Sequence, residues 1–249
     1  MSILIGHAVM DENGGIDGAM MGDQTGKEIT TRKWYKRTGG WNAYLQPLDL
    51  SMAENAATYM RLICDNAAYG YSQPNRWTGY KAIQALVKKG ASVTDAIAQG
   101  KGDFDCSSLV ISCYIFAGLD HAASGYTGSI AKSFKATGKF KLLTEDKYIG
   151  SDTYAQRGGV YVGKGHTLMC LENGSGHEEP VTGAYVLVKG DNVHVREGAG
   201  TEYPKLYTAH AGDKLPYQEI DEDTGWYWVD TPHGIGCISG KKNLTVLIT

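Results

Sequence analysis

The sequence lacks several features that would assign the chain to a common class. No apolar run approaches the length of a membrane span. The net charge is -3, so no excess of positive charge predicts a nucleic-acid partner. The five cysteines are odd in number and widely spaced, and no Cys-x-x-Cys occurs, which argues against a disulfide framework and a zinc site. We therefore expect a globular protein that needs no metal and no cofactor.

The first residues also lack the marks of a signal peptide. The segment Met1 to His7 has no basic residue, and its apolar stretch is too short. We expect synthesis in the cytoplasm. A substrate outside the cell would then be reached after phage lysis or by a non-standard export route.

The patterns that are present predict a mixture of strands and helices in residues 1–175, which is an α+β region. An apolar strand is predicted at Ile3–Val9, and a second strand-like stretch with aromatics from Ile29 to Tyr44. Ser51-Met-Ala-Glu54 has the form of a capping box that opens a helix. Two further helices are predicted, one through Tyr80, Ile83 and Val87 and a short one after Ser92.

The segment Asp105–Gly118 predicts a helix that is apolar on nearly all sides, and such helices are buried. Asp105 is the expected N-cap, so Cys106 would lie in the first turn. A thiol acts as a nucleophile in its thiolate form, and the free N–H groups of a first turn favour a negative group. Cys106 is therefore a candidate nucleophile, whereas the other cysteines are expected to be buried small side chains.

A cysteine nucleophile needs a base, and His166 is the candidate. It lies in Arg157–Leu171, which predicts one strand or two short ones, and glycines before it leave room for close approach. Spacing alone is a weak signal for this pair, and it favours a satisfied core histidine. The acidic residues near Gly14 do not fit an EF-hand loop, so a solvated turn is expected there.

The sequence pattern changes after a polar stretch at 176–183, which we interpret as an interdomain linker. Residues 184–249 predict a small all-β barrel, because short strand-like runs alternate with turns. The predicted strands are Tyr185–Val188, Val193–Arg196, Lys214–Gln218, Trp226–Val229 and Ile235 to Ile238.

The motif Gly-Asp-Phe-Asp-Cys-Ser-Ser-Leu-Val, a following apolar helix and the later Gly-Gly-Val-Tyr-Val-Gly-Lys-Gly-His-Thr strand resemble the NlpC/P-sixty family. The resemblance implies a papain-like fold, with helices packed on an antiparallel sheet, and a cysteine peptidase acting on peptidoglycan. It implies Cys106 as nucleophile and His166 as base. It also implies a substrate contact from Tyr71, although an apparent helical insertion at about 78–100 separates Tyr71 from Cys106. Ser107 and Asp105, which flank the cysteine, are further candidate substrate-binding residues, and capping of the buried helix is the alternative role of Ser107.

The family has a third polar residue, on the strand after the catalytic histidine, that orients this histidine. Here that strand is missing, because His177 is followed by Glu-Glu-Pro. The segment from Ile3 through Glu28 resembles the one that follows the turn in phage-encoded relatives. The resemblance therefore implies a circularly permuted domain in which His7 is the third member of the triad. His7 as a surface residue and His177 as the third member are the alternatives.

The tail resembles a bacterial SH3-like domain. The resemblance rests on Asn-Val-His-Val-Arg-Glu-Gly-Ala-Gly-Thr-Glu-Tyr at 192–203 and on Gly-Trp-Tyr-Trp-Val at 225–229. It implies binding to the bacterial cell wall through exposed aromatics, for which Tyr203, Tyr207, Tyr217 and Trp228 are candidates. Filling a small barrel core is the alternative role for each of them.

Taken together, the residues and resemblances predict an endolysin-like peptidoglycan hydrolase that cleaves a stem-peptide amide, at the D-glutamyl–diamino acid bond. The alternatives are an N-acetylmuramoyl-L-alanine amidase, an acyltransferase on the same fold, and a non-catalytic wall-binding protein. An intact Cys106 and His166 argue against the last of these.

Overall fold

The computed structural model describes residues 2–177, 183–231 and 233–249. The chain divides into two compact units, Met1–His177 and Glu178–Thr249. The division falls inside the predicted linker 176–183, of which residues 178–182 lie outside the described residues. Within the described ranges, every helix is too short or too polar to cross a membrane.

The first unit is built on a six-stranded antiparallel sheet with the order β2-β1-β8-β7-β3-β6. A separate two-stranded parallel ladder joins β4 to β5. The strands are β1 (Leu4–Ala8), β2 (Ile29–Lys33), β3 (Ala43–Pro47), β4 (Tyr69–Tyr71), β5 (Gly102–Phe104), β6 (Phe140–Leu143), β7 (Val160–Gly163) and β8 (His166–Cys170).

Helices accompany this sheet, so the predicted α+β class is confirmed for the first unit. They are α1 (Leu50–Cys64), α2 (Thr78–Lys88), α3 (Val93–Gln99), α4 (Cys106–Phe116), α5 (Thr127–Ala136) and α6 (Asp146–Ile149). The predicted apolar helix is α4, and all its residues from Cys106 to Tyr114 are buried. The helix predicted through Tyr80, Ile83 and Val87 is α2, and the short helix predicted after Ser92 is α3, which Ser92 caps.

Two predictions of element boundaries are wrong. Helix α1 begins before Ser51, because the Asp49 side chain accepts the Met52 N–H and is the N-cap. The stretch from Ile29 to Tyr44 is two strands rather than one. Gly39 and Gly40 have positive φ angles of 82° and 74° between them, a conformation that ends an extended strand.

The sheet separates two apolar clusters. The larger cluster includes Ala8 and Met169 together with the buried faces of α1 and α4. The smaller includes Ile5, Leu168 and Cys170 together with Trp41 and Tyr161. Because side chains alternate along a strand, β1 and β8 each contribute to both clusters.

The second unit is all-β. Its described residues form a seven-stranded antiparallel sheet with the order β11-β10-β14-β13-β12-β9-β15. The buried core of this unit consists of valines together with Ala209, Leu215 and Ile238. The strands are β9 (Tyr185–Val188), β10 (Val193–Arg196), β11 (Lys205–Ala209), β12 (Lys214–Ile220), β13 (Tyr227–Thr231), β14 (Gly234–Ile238) and β15 (Thr245–Ile248). The sequence predicted five of these strands and missed β11 and β15.

Candidate active site

The start of helix α4 is fixed by a reciprocal pair of hydrogen bonds. The Ser108 N–H donates to Asp105 Oδ1 at 2.6 Å, and the Asp105 N–H donates to Ser108 Oγ at 2.9 Å. This capping box satisfies groups that a helix start otherwise leaves unpaired. Cys106 follows as the first helical residue, and its side chain is buried.

The Cys106 thiol lies 3.5 Å from the Thr127 hydroxyl, at the start of α5. Burial raises the pKa of this thiol, and the Asp105 carboxylate raises it further. The Thr127 hydroxyl and the backbone N–H groups of Thr167 and Ser107 act in the opposite direction. Since the balance is upward, Cys106 is a protonated thiol at neutral pH.

The strand that supplies Thr167 also supplies His166, at its first position. Leu168 and Cys170 of β8 lie in the smaller cluster, so by alternation His166 points to that same side. In β1, Ile5 belongs to this cluster too, which puts His7 on the same side. The two strands are antiparallel neighbours with Ile5 opposite Cys170.

The rings of His7 and His166 meet edge to face, with centroids 5.6 Å apart. Burial lowers the pKa of His7 to about 3, and the positive charges of His166 and Arg32 add to the effect. Burial likewise lowers the pKa of His166 to about 4, with further contributions from Arg37 and Arg32. Both imidazoles are therefore neutral at pH 7.

Aromatic rings from residues 34–42 cover this histidine pair. The Tyr35 ring centroid lies 6.3 Å from that of His7, and the Trp41 centroid lies 6.1 Å from that of His166. These rings exclude water and so account for the desolvation that keeps the imidazoles neutral. His7 Nδ1 is buried without a hydrogen-bond partner among the described residues.

A cavity of about 530 Å³ opens at the Cys106 end of α4. Three segments line it: the stretch before α2, the start of α5, and the turn between β7 and β8. The lining residues are Gln73, Arg76, Asp105, Cys106, Ser107, Tyr126, Thr127, Gly128, Gly163, Lys164 and Gly165. The structure thus places the candidate nucleophile Cys106 in the lining of a cavity of ligand size, whereas neither His166 nor His7 is among the lining residues.

Comparison with protein families matches residues 5–177 to the endolysin-like domain. The match spans nearly the whole first unit and most of the chain. This chain belongs to the endolysin-like domain family. Membership indicates a cell-wall hydrolase role, with peptidoglycan as the substrate that the family description implies. No curated protein and no solved structure matches the chain.

Tyr71 of the endolysin-like domain lies near Cys106 in spite of the helical insertion. Strands β4 and β5 pair in parallel, with Tyr71 opposite Phe104. Because α2 and α3 form the crossover between these strands, the insertion returns the chain to the same place. Tyr71 is buried, its hydroxyl accepts a bond from Gln73, and burial raises its pKa to about 12. Its predicted contact with substrate stays a prediction.

Within the domain, the carboxylate of Asp105 accepts hydrogen bonds from several groups and forms an ion pair. Besides capping α4, it accepts a bond from Ser107 Oγ at 2.8 Å and an ion pair from Arg76 at 3.0 Å. Both Asp105 and Ser107 line the cavity, as substrate-binding residues would. Their hydroxyl and carboxylate groups are bonded to each other, so the predicted substrate contacts remain to be tested.

Sequence reasoning missed Thr127, Arg76 and Lys164 at this site. Thr127 contacts the thiol only because α5 packs against α4, and no motif around it signals that contact. Arg76 could have been found as the cation nearest in sequence to Tyr71. Lys164 lies two residues before His166, so its position in the same motif could have identified it as a residue near the site.

Proposed function

We propose that this protein is a peptidoglycan hydrolase of the cysteine peptidase type, related to the NlpC/P-sixty family. The observation that carries the proposal is the position of Cys106. It is held at the first turn of α4, lines a cavity, and lies near enough to Thr167, the residue after His166, for the backbone N–H of Thr167 to lower the pKa of the thiol. The endolysin-like family match supports the choice of the cell wall as substrate.

The proposed reaction begins from a neutral pair. His166 accepts the thiol proton as Cys106 Sγ attacks the amide carbonyl carbon. The backbone N–H of Cys106 then stabilises the oxyanion. The C–N bond breaks as protonated His166 gives its proton to the leaving amine, which leaves a thioester. Water attacks the thioester while His166 takes its proton, and the carboxylic acid leaves as the thiol is restored.

His7 is proposed to hold the His166 ring in place as the third member of the site. Support comes from the neighbouring strands β1 and β8 and from the contact between the rings. A circular permutation accounts for this arrangement, since the strand that would follow β8 in relatives is here the first strand of the chain. The papain-like fold is proposed on the same grounds.

The test is digestion of purified muropeptides, with fragments identified by mass. We expect cleavage at the D-glutamyl–diamino acid bond. Release of intact stem peptides from the sugar would instead establish an amidase. Cys106→Ser should abolish cleavage, whereas Cys113→Ala, a buried cysteine in the same helix, should retain it. Equal activity of Cys106→Ser and the unchanged protein would remove the proposal.

The second unit is proposed to be an SH3-like barrel that binds the cell wall. Of the candidate aromatics, Tyr203 is exposed, whereas Tyr207 and Tyr217 pack against the valine core. This unit also has a cavity of about 500 Å³, lined by Trp226 together with His194 and Arg196. A cavity of ligand size whose lining includes an aromatic ring and a cation favours this place for the wall ligand.

Sedimentation of the full chain with purified walls tests the binding role. The Cys106→Ser background prevents digestion. We expect Trp226→Ala to weaken sedimentation, and Trp228→Ala, which changes a tryptophan outside the cavity lining, to preserve it. If only Trp228→Ala loses sedimentation with walls, the cavity is not the binding site. If the parent chain does not sediment with walls, the binding role is wrong.

A further inference from the structure

The thiol of Cys106 has a hydroxyl neighbour that the reaction described above does not use. Thr127 Oγ1 lies 3.5 Å from Cys106 Sγ, which is the length of a hydrogen bond to sulfur. Thr127 is 8% exposed and Cys106 is 6% exposed, so water competes little for either group. A hydrogen bond that is shielded from water in this way is electrostatically stronger than one in solvent.

The Thr127 hydroxyl is available because of its position in the helix. Inside a helix, a threonine hydroxyl commonly donates to a carbonyl of the preceding turn. Thr127 is the first residue of α5, so no preceding turn of that helix offers such a carbonyl. In the described part of the chain, Cys106 Sγ is the one hydrogen-bond partner of Thr127 Oγ1.

The start of α5 is fixed with respect to α4. The Tyr126 N–H donates to Ser129 Oγ at 3.1 Å, and the Ser129 N–H donates to the Tyr126 carbonyl at 2.9 Å. Further along α5, the Phe134 ring meets the Tyr114 ring of α4 edge to face, with centroids 5.3 Å apart. The distance between the hydroxyl and the thiol is therefore set by the packing of two helices.

The other side chains around the sulfur act against a thiolate. Burial and the Asp105 carboxylate raise the pKa of the Cys106 thiol, whereas the Thr127 hydroxyl lowers it. The tyrosines Tyr71 and Tyr35 also interact with the charge of Cys106, which adds to the effect of burial in raising their own pKa values. A hydrogen bond donated to the charged form of a group favours that form. Thr127 is thus placed to offset Asp105.

We propose that Thr127 is a further catalytic residue, whose hydroxyl donates a hydrogen bond to Cys106 Sγ as the thiolate forms. The inference rests on the proposed hydrolase function and adds a residue to its first step. While the thiol proton passes to His166, the Thr127 hydroxyl keeps its own proton and donates it only as a hydrogen bond. The bond weakens when the sulfur becomes an uncharged thioester, because hydrogen bonds to ionised groups are the stronger ones.

The test removes the hydroxyl and keeps the shape of the side chain. Thr127→Val does this, Thr127→Ser keeps the hydroxyl, and Thr127→Ala removes it without added bulk should valine not fold. Ser133→Ala is the control in the same helix, because the Ser133 hydroxyl donates to the Ile130 carbonyl instead. The measurements are kcat and KM on a muropeptide and the pH dependence of Cys106 alkylation. Cys106→Ser supplies the background from other cysteines, and urea unfolding confirms that each variant is folded.

We expect Thr127→Val to lower kcat roughly 10-fold or more at similar KM, and to move the alkylation profile to higher pH. Thr127→Ser should restore both, and Ser133→Ala should change neither. An unchanged kcat and profile in folded Thr127→Val would overturn the inference and leave the hydrolase intact. Equal losses in Thr127→Ser and Thr127→Val would also overturn it, because the hydroxyl would then not be the cause. If the unchanged protein cleaves no muropeptide, the proposed function fails, and the alkylation profiles alone decide whether Thr127 favours the thiolate.

Discussion

The ring of His7 meets the ring of His166 edge to face, with centroids 5.6 Å apart, although the two residues lie at opposite ends of the sequence of the first unit. The contact depends on the pairing of β1 with β8, and so on the first strand lying beside the last. A histidine that is buried next to a candidate base can fix the orientation of that base.

Replacing His7 is therefore expected to impair catalysis. His7→Gln should lower kcat by about 100-fold or more, in line with the effect of losing an orienting partner of a catalytic histidine. His177→Gln is the matched control and should leave kcat unchanged. The measurement is steady-state hydrolysis of a muropeptide, with unfolding by urea to confirm that both variants are folded. A lower kcat in His177→Gln together with an unchanged kcat in His7→Gln would refute the permuted arrangement.

The protonation states of the resting site give a second prediction. His166 is neutral above its pKa of about 4, and Cys106 keeps its proton because burial raises the pKa of the thiol above its usual value. A base must be neutral to act, so kcat/KM should be retained down to mildly acidic pH and fall as the pH passes through about 4. Thiolate absorbance, measured as the difference from Cys106→Ser, should be absent at neutral pH. A thiolate signal at neutral pH would contradict the neutral pair.

Folding stability should also depend on the two histidines. Their folded pKa values, about 3 and about 4, lie below the unfolded value of 6.5, so the unfolded chain binds more protons in between. The stabilisation is complete above pH 6.5 and is lost as pH falls toward these folded values. Each histidine contributes a slope of at most about 1.4 kcal/mol per pH unit.

Urea unfolding between neutral pH and about pH 5 measures this slope. The range avoids most carboxylate titration, because ordinary aspartate and glutamate groups titrate near about 4. His7→Gln should reduce the slope of unfolding free energy against pH by the contribution of one histidine. An unchanged slope in that variant would show that His7 is not held neutral by burial.

Part of the fold could be predicted from local patterns. Helix α4 is apolar on nearly all sides, so its burial could be predicted from composition, and Asp105 indicated where it starts. The strands Tyr185–Val188 and Val193–Arg196 were predicted to the residue, because alternation and flanking turns mark both ends.

The remainder depended on long-range contacts. Thr127 reaches the thiol through the packing of α5 near α4, and Tyr35 and Trp41 cover the histidines from a loop between two strands. No periodicity within a window of sequence encodes such contacts. The pairing of β1 with β8 was expected only through the family resemblance, since a short apolar strand can join a sheet at many places.

Asp105 offers a last prediction, because its carboxylate both caps α4 and pairs with Arg76. Asparagine caps a helix about as well as aspartate, so Asp105→Asn should retain the cap and lose the ion pair, whereas Asp105→Ala loses both. Urea unfolding should show a larger loss for alanine than for asparagine, with the cap contributing about 0.5–2 kcal/mol of the difference.

The same variant separates capping from substrate binding. Because the Asp105 carboxylate raises the pKa of the Cys106 thiol, Asp105→Asn should lower that pKa and speed alkylation of Cys106 at mildly alkaline pH. Cys106→Ser supplies the background from the other cysteines. If Asp105 also contacts the peptide, KM rises in Asp105→Asn at nearly unchanged unfolding free energy. An unchanged KM together with faster alkylation would leave Asp105 as a positioning residue, because its charge would then act on the thiol alone.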